Sequence, residues 1–553
     1  MHLIHSIITI SLIYISLYSY GFFISDKILK KNKTDFFFKI FVGYIFVGSL
    51  ALALHFFIKI SSLVSILFIL FSFIIYLKNF SEIYNKNHYL LLFFITFISF
   101  IIYGYSDHPI DSNMYHHPYI SYLKYEKIIF GIANIQFRFG HISFLQYAQS
   151  ILSNNLFHYI SLASINIIFY ISFIYYLSLK IFEIKKFNLI FLITVLLGSF
   201  LLIKFSRYRE YGNDLIPLLI SIYFLIQILE VKNKYFSRND LINLSFLFVV
   251  FMFVHKISYI FASLIFLIVY KHETFKIFKK IKLSYLFISL LIFILWTAKN
   301  LITTSCIVYP LEFTCINNAL FQLIGAANPS NAAWLTEIWA KGFIDHPNWE
   351  SLNLENYAKG FNWVSTWFKG HFIKILEILS PLFFIILLSF LYILKNKKIF
   401  QDKQNTNNEK IKYINIWITL FIGLFIWFYN APIYRYGSFY IISIICITYI
   451  IILEHFNLKN ITKKIIFFKI IFILCILFFL TKNILRISKS ELSFFPKTLN
   501  ENKTETFDLQ KNYNLKLLNT TNSLCYYTKF ICSHEIPKNI KIKKIKNYYI
   551  IDQ

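Results

Sequence analysis

Residues 36–57 read FFFKIFVGYIFVGSLALALHFF, and the residues just before them, 25–35, read SDKILKKNKTD. The first is an apolar run interrupted by one lysine, long enough to cross a ~30 Å hydrocarbon core as a helix of about 20 residues. The second is a short lysine-rich break. This alternation repeats along the whole 553-residue chain, in which 57% of residues are hydrophobic, 15% are charged and the mean hydropathy is +0.59. A water-soluble fold has nowhere to hide so much Phe, Ile and Leu, and a disordered chain would lack it. The expected fold class is an all-α polytopic membrane protein.

Placing spans on the apolar runs gives about 13 or 14 helices. They fall near residues 2–24, 36–57, 59–77, 89–104, 155–178, 187–204, 212–230, 241–254, 257–270, 283–300, 373–394, 413–429, 437–454 and 464–481. The run at 2–24 has no basic segment before it and no small-residue cleavage site, so it reads as a retained helix and not as a signal peptide. A formal charge of +28 would suggest nucleic acid in a soluble protein. Here most lysines sit between spans, where they report topology, and no nucleic-acid partner is expected.

With the N-terminus outside, the breaks SDKILKKNKTD, LKIFEIKKF, EVKNKYFSRND, KHETFKIFKKIK, LKNKKIFQDKQNTNNEKIK and EHFNLKNITKK all fall in the cytoplasm, as the positive-inside rule demands. The far side then receives residues 105–154, 206–211, 301–372, 430–436 and the tail from 481. The expected organisation is a transmembrane domain over 1–482, with outer loops 105–154 and 301–372, and a small external domain over 483–553. The lysine-rich KNIKIKKIKN of that tail runs against the rule, which long terminal domains often escape. Cys306, Cys315, Cys525 and Cys532 land outside, where disulfides persist. Cys306 with Cys315 and Cys525 with Cys532 are the sequence-local pairings; other connectivities and four free thiols are the alternatives.

The same side collects ionisable groups, which are expensive near hydrocarbon and so need a partner, water or a ligand. Residues 107–118, DHPIDSNMYHHP, hold the densest cluster. A carboxylate there can take a proton from an acceptor hydroxyl, and Asp111 is the first choice for that general base, Asp107 the second, with His116 beside it as an orienting group. Capping of a helix that starts near Tyr115 and ligation of a metal remain alternative roles for Asp111. His108, His116, His117 and His141 with the two Asp residues could form a metal site but show no HxH or HExxH spacing, so no metal ligands are assigned and a divalent cation is the one cofactor left open. Arg138, Arg207, Arg209 and Arg435, with Lys204, Lys256 and Lys299 at outer span ends, suit a phosphate, since Arg offers a bidentate fork and Lys a point charge. Snorkelling toward lipid headgroups explains any one of them but explains less well their gathering with Asp111 and Asp214. Beyond Tyr115, apolar residues at Ile120, Leu123 and Ile128, and again at Ile142, Leu145 and Ile151, predict two amphipathic segments lying on the membrane surface. Trp334, Trp339, Trp349, Trp363 and Trp367 suit sugar rings and equally suit a membrane interface. Without a Gly-rich phosphate loop or dinucleotide fingerprint, soluble-nucleotide chemistry has no visible site.

In this order the motifs resemble those of the GT-C class of polytopic glycosyltransferases, and more narrowly a family of bacterial envelope proteins of uncharacterised activity associated with surface-polysaccharide assembly. The pattern D-x-G-L-Y-H is matched at Asp111, Tyr115 and His116, and G-L-A-N-x-x-x-R-x-G at Gly131, Ala133, Asn134, Arg138 and Gly140. A later K-x-S falls on Lys256 and Ser258, and W-x-x-(R/K)-N followed by S-G-x-x-x-Y-P on Trp296, Lys299, Asn300, Tyr309 and Pro310. P-x-x-R-(F/Y)-G falls on Pro432, Arg435 and Gly437, and a C-terminal Cys pair on Cys525 and Cys532. Asn113 and Met114 depart from Gly-Leu, and Thr304 with Ser305 from Ser-Gly. The resemblance implies a polyprenyl-phosphate-linked sugar donor, a glycan or lipid acceptor, inversion, and reaction at the periplasmic face of a bacterial inner membrane. It makes the first-loop Asp111 a base or a metal-associated carboxylate. Together with the reading of the charges above, Arg138, Arg207, Arg209, Lys256, Lys299 and Arg435 are expected toward the donor phosphate, with Tyr115, Asn134, Asp214, Asn300 and Tyr309 shaping the site. A polymerase or ligase of the O-antigen type, a lipid-linked saccharide transporter and a non-catalytic assembly protein are the rival readings.

Overall fold

The computed structural model describes residues 2–29, 34–83, 86–103, 111–153, 161–185, 187–204, 212–230, 237–270, 281–316, 320–395, 413–454 and 465–489, and in the C-terminal part 505–507, 515, 517–519, 524–525, 527–533, 536–537 and 540–552. Helices dominate. Among the described residues nine are long and apolar enough to cross a membrane, from the one ending at Ile28 to Ile465–Lys489. Five shorter apolar helices, Ser62–Lys78, Asn87–Ser99, Leu189–Lys204, Leu215–Leu229 and Ile257–Phe266, fill the remaining places where the sequence puts a span.

Burial sorts these helices. Every residue from Leu215 to Ile228 is buried, so that helix, apolar on all sides, is central. Helix Ser62–Lys78 instead exposes Leu63, Leu67, Leu70, Phe71, Ile74 and Leu77, a stripe at helical spacing. Helices Leu283–Thr304, Val364–Lys395 and Ile465–Lys489 carry similar stripes. Faces this apolar need a hydrocarbon solvent, and each helix satisfies its own backbone within it.

Close approach needs small residues where two backbones cross. At the crossing of helices His2–Phe22 and Phe36–His55, a Cβ on Gly43 would run into the Leu17 carbonyl, and one on Gly21 into the Lys39 carbonyl.

Four elements differ from the sequence expectation. Residues 257–266 form a 3-10 helix, which rises about 2.0 Å per residue against 1.5 Å in an α-helix and so gains depth from few residues. Helix Val364–Lys395 starts before 373 and at 32 residues is about 48 Å long, more than the membrane core needs. The two segments expected to lie on the membrane surface, now helices His117–Tyr125 and Phe144–Leu152, are instead packed inside the protein. All nine residues of Phe144–Leu152 are buried, because neighbouring helices and the C-terminal segment cover the segment 111–153.

That C-terminal segment is built from short strands. β1 (Glu505–Phe507) pairs antiparallel with β2 (Leu517–Asn519), and β2 pairs parallel with β3 (Ile531–Ser533). β4 (Lys541–Ile545) and β5 (Tyr548–Asp552) form an antiparallel hairpin with Ile542 opposite Ile551. It docks on the segment 111–153: Ile551 N donates to Phe130 O at 2.9 Å, Cys525 N donates to Asn113 O at 3.0 Å, and Ser121 Oγ donates to Thr528 O. Both sequence-local disulfides, Cys306–Cys315 and Cys525–Cys532, are present. Cys446 and Cys475 are free and buried.

The Gly43 crossing gives a direct test of this packing. Gly43→Ala pushes a methyl group against a backbone carbonyl that cannot swing away, and overpacking of this kind costs at least ~1–3 kcal/mol. The expected result is a lower melting temperature and less monodisperse protein in detergent, read by thermal-shift size-exclusion; a parental melting curve would refute the crossing.

Candidate functional site

Asp111, Asp214, Lys256 and Arg435 come from four segments far apart in sequence, and each sits where a helix begins or ends. Asp214 immediately precedes helix Leu215–Leu229. Lys256 is the vertex between helix Arg238–His255 and the 3-10 helix Ile257–Phe266, with extended backbone at φ −156° and ψ 98° that reverses the chain. Arg435 lies in the first turn of helix Tyr434–Glu454. Its preceding turn is held by two indoles: Trp367 Nε1 donates to Pro432 O at 2.7 Å and Trp427 Nε1 to Ile433 O at 2.9 Å. Gly437 lets the Trp427 ring pack against the helix, where a Cβ would collide with it. Tyr259 Oη also donates to Arg435 O, at 2.8 Å, so the arginine's backbone is fixed from two sides.

The charges then meet. Arg435 Nη1 stands 3.7 Å from Asp111 Oδ2, and Arg435 Nε 3.6 Å from Asp214 Oδ2. Lys256 Nζ is 3.1 Å from Asp214 Oδ1 and donates to Asn213 Oδ1 at 3.2 Å. Tyr436 lies under both cations, 4.2 Å from Lys256 Nζ and 5.2 Å from the guanidinium carbon of Arg435. Asp214 is enclosed at 7% side-chain exposure, whereas Asp111 is open at 42%. Arg435 reaches both carboxylates at ion-pair distance without a hydrogen bond to either, and its Nε has no hydrogen-bond partner among the described residues. The guanidinium is thus positioned by opposite charge while keeping donor capacity for another anion.

Asp111 has helical backbone at φ −52° and ψ −37° and makes no side-chain capping hydrogen bond, so its carboxylate is turned to Arg435 and solvent. His116, one turn on, is set by the capping box of helix Phe144–Leu152. Gln146 Oε1 accepts from Ser143 N at 3.2 Å, which turns Gln146 Nε2 toward His116 Nδ1 at 2.9 Å. An amide nitrogen only donates, so Nδ1 accepts and the imidazole proton sits on Nε2. Burial lowers the His116 pKa from the ordinary 6.5 to about 4; Asp111 and Asp214 oppose the shift, and Lys256 and Arg435 add to it. His141 falls to about 3, first through burial and then through Lys256, Arg138 and Lys299. The Tyr115 phenol is raised, first by burial and then by Asp111.

The other expected residues are distributed around this centre. Arg138 lies over the rings of Tyr115, at 5.4 Å, and Phe137, at 5.2 Å, and faces a cavity of its own; among the described residues no contact joins it to Asp111 or Arg435. Lys299 is fully buried, with its ammonium 4.6 Å from the Trp296 ring centre and 3.2 Å from Asn300 Oδ1, and among the described residues it meets no carboxylate. Asn134, Asn300 and Tyr309 shape the walls: Asn134 Nδ2 donates to Gln322 O at 2.8 Å and Ile551 O at 3.1 Å, Asn300 Nδ2 to Ile307 O at 2.9 Å, and Tyr309 Oη to Ala327 O at 2.8 Å. Trp363 and Trp367 are buried anchors, while Trp339 and Trp349 are exposed. Asp107, Arg207 and Arg209 lie outside the described residues. No group of three or more His, Cys, Asp or Glu arranged to hold a metal occurs among the described residues. Sequence reasoning missed Gln146, Tyr436 and Trp427, and named Trp367 without its role in holding the turn before Arg435. Of these only Tyr436 carried a signal, an aromatic beside the arginine in PIYRYG.

The family described as Domain of unknown function (DUF8201) matches residues 3–442. No curated protein and no solved structure matches the chain.

The His116 geometry has a measurable consequence. Between pH 6.5 and about 4 the unfolded chain takes up a proton at His116 that the folded protein refuses, so this residue's contribution to stability is present above pH 6.5 and is lost as pH falls through that window. In thermal unfolding across that range, His116→Gln is expected to show a shallower acid-side decline than the parent; superimposable slopes would show that the imidazole is not held neutral.

Proposed function

The chain belongs to the DUF8201 family, and we propose that it is a membrane glycosyltransferase that moves a sugar from a polyprenyl-phosphate-linked donor to a glycan or lipid acceptor on the outer, periplasmic face of a bacterial inner membrane. The observation that carries this reading is the meeting of an open carboxylate, Asp111, with two cations, Arg435 and Lys256, at one end of a helix bundle whose apolar stripes face lipid. A general base beside a cationic phosphate clamp is the minimum equipment for this transfer.

In this scheme Asp111 takes the proton of the acceptor hydroxyl as the hydroxyl oxygen attacks the anomeric carbon. The bond from that carbon to the phosphate oxygen breaks on the opposite face, which inverts the configuration. The electron pair leaves with the phosphate, and its growing charge is met by Arg435 and Lys256. His116 contributes its Nε2–H as a neutral donor beside Asp111 and adds no competing charge. Asp214 holds the two cations in register. Because Arg138 faces a separate cavity, the donor phosphate is assigned here to Arg435 and Lys256.

The orientation is supported from both ends of the bundle. Both disulfides lie in segments at the Asp111 end, and such bonds persist outside the reducing cytoplasm. At the opposite helix ends stand Lys27 with Glu82, Lys39 with Asp26, and Lys180 with Glu230, beside the lysine-rich breaks that the positive-inside rule keeps in the cytoplasm.

The test is transfer of a labelled sugar from polyprenyl phosphate in vesicles containing the purified protein, alongside mass spectrometry of surface glycan from a deletion strain. Asp111→Asn is expected to slow transfer roughly 100- to 10,000-fold. Arg435→Ala should cost roughly 100- to 1,000-fold, with Arg435→Lys retaining part of the rate. Parental transfer by Asp111→Asn would favour a ligase or polymerase that needs no carboxylate base. Carrier lipid crossing the bilayer without a new glycosidic bond would mark a transporter.

A further inference from the structure

A cavity of about 550 Å³ lies between the two outer loops, well inside the ~300–1,000 Å³ range of small-molecule sites. Residues 133–138 of the first loop, residues 324–327 with Trp339 of the second, and Pro537 of the C-terminal segment build its wall. Met114 lines it too, in the same wide helical turn as His116, so the cavity adjoins the Asp111 end of the site.

Three of its lining side chains are incompletely used by the protein. Gln136 is only 2% exposed, yet among the described residues neither its Nε2 nor its Oε1 has a hydrogen-bond partner. Buried amides are rarely left so, and Asn134, two residues earlier, spends both ends of its own amide on the wall. Among the described residues Arg138 is the only charged one lining the cavity; it contacts the Met114 thioether and two aromatic rings and has no carboxylate partner there. Trp339 is 54% exposed at the rim, an aromatic surface with nothing from the described chain to cover it fully.

An occupant that answers all three offers a flat apolar face to the indole, a group that both gives and takes a hydrogen bond to Gln136, and an anion to Arg138. A lipid headgroup lacks the first, and inorganic phosphate lacks the first and offers no ring hydroxyl. We infer that this cavity binds an anionic saccharide, a pyranose bearing a carboxylate or a phosphate. Its assignment as the acceptor end of the reaction rests on the transferase reading; the binding itself does not.

The experiment is saturation-transfer NMR on the full-length protein in nanodiscs, with digalacturonate, galacturonate and glucose 6-phosphate as probes and with glucose and inorganic phosphate beside them. The expected result is saturable binding of the anionic sugars, roughly tenfold tighter than glucose or phosphate, with the stronger of the carboxylate and phosphate probes identifying the anion. Arg138→Gln and Trp339→Ala should each weaken that binding roughly tenfold. Gln136→Leu should weaken it while holding or raising the melting temperature, because it removes an unpaired buried amide. Equal binding of glucose, binding of phosphate as tight as that of the sugars, parental affinity in all three variants, or no saturable binding of any probe would each overturn the inference. No donor and no turnover enter the measurement, so its failure leaves the transfer reading standing, and failed transfer with intact binding does the reverse.

Discussion

Arg435 stands between two carboxylates, Asp111 at 3.7 Å and Asp214 at 3.6 Å, and Asp214 in turn holds Lys256 at 3.1 Å. In a chain this apolar, a charge at a helix end is costly unless it finds an opposite charge or water. Arg435, Asp214 and Lys256 meet that condition in part through one another, and Asp111 through Arg435 and through its own access to solvent, so the segments that carry them are drawn together. The convergence fixes the ends of three membrane-crossing elements relative to one another. The turn before Arg435 shows how far the fold goes to hold it: two tryptophan N–H groups and a tyrosine hydroxyl are spent on its backbone carbonyls. Asp111, at the edge of the network, is the member with most access to solvent, which is the position a base needs if an acceptor is to reach it.

The polar layer at the other helix ends obeys the same constraint with a different outcome. Lys39 and Asp26 pair at 2.9 Å, and Tyr223 Oη donates to Asp35 Oδ2 at 2.6 Å across helices. There Lys27, Lys39 and Lys180 each have a carboxylate close by. At the Asp111 end the ion pairs of Arg435 are longer, and among the described residues Arg138 and Lys299 meet no carboxylate.

The helices were legible in the sequence because a span is a one-dimensional signal: enough apolar residues in a row, whatever their neighbours. All fourteen expected runs coincide with described helices, nine long and five short. What periodicity could not supply was which apolar segment meets lipid and which meets protein, and so helices His117–Tyr125 and Phe144–Leu152, which read as amphipathic, turned out buried. The charged members of the site were legible for a related reason, since ionisable residues stand out against such a background. Gln136 and Gln146 did not stand out, because a glutamine acquires meaning only from what its amide touches. The departure at Ser305 also becomes intelligible. It has φ +57°, the left-handed region where the pattern's glycine is at ease, so serine keeps the turn at a conformational cost.

The segment 111–153 poses an accounting question that the C-terminal segment answers. Between its two α-helices, from about residue 126 to 143, the chain forms only the short 3-10 helices Ile132–Asn134 and Phe137–His141, and Ile128, Ile129 and Gly131 are buried there, where unpaired backbone groups are expensive. Their partners come from elsewhere: Ile128 N reaches His55 O at 3.4 Å, Ile129 N reaches Tyr122 Oη at 2.8 Å, and Gly131 N reaches Ile302 O at 3.0 Å. Phe130 is served at both ends by β5, donating to Tyr549 O at 3.0 Å and accepting from Ile551 N at 2.9 Å. Gly131, left-handed at φ +68°, brings the backbone so near that a Cβ would strike Ile551 O. The hairpin therefore completes a β-type ladder that the loop cannot make alone, and it lies directly over the wall carrying Asn134, Gln136 and Arg138. A segment that looks in sequence like a polar tail beyond the membrane is, by its hydrogen bonds, the part that keeps the first loop folded above the Asp111 site.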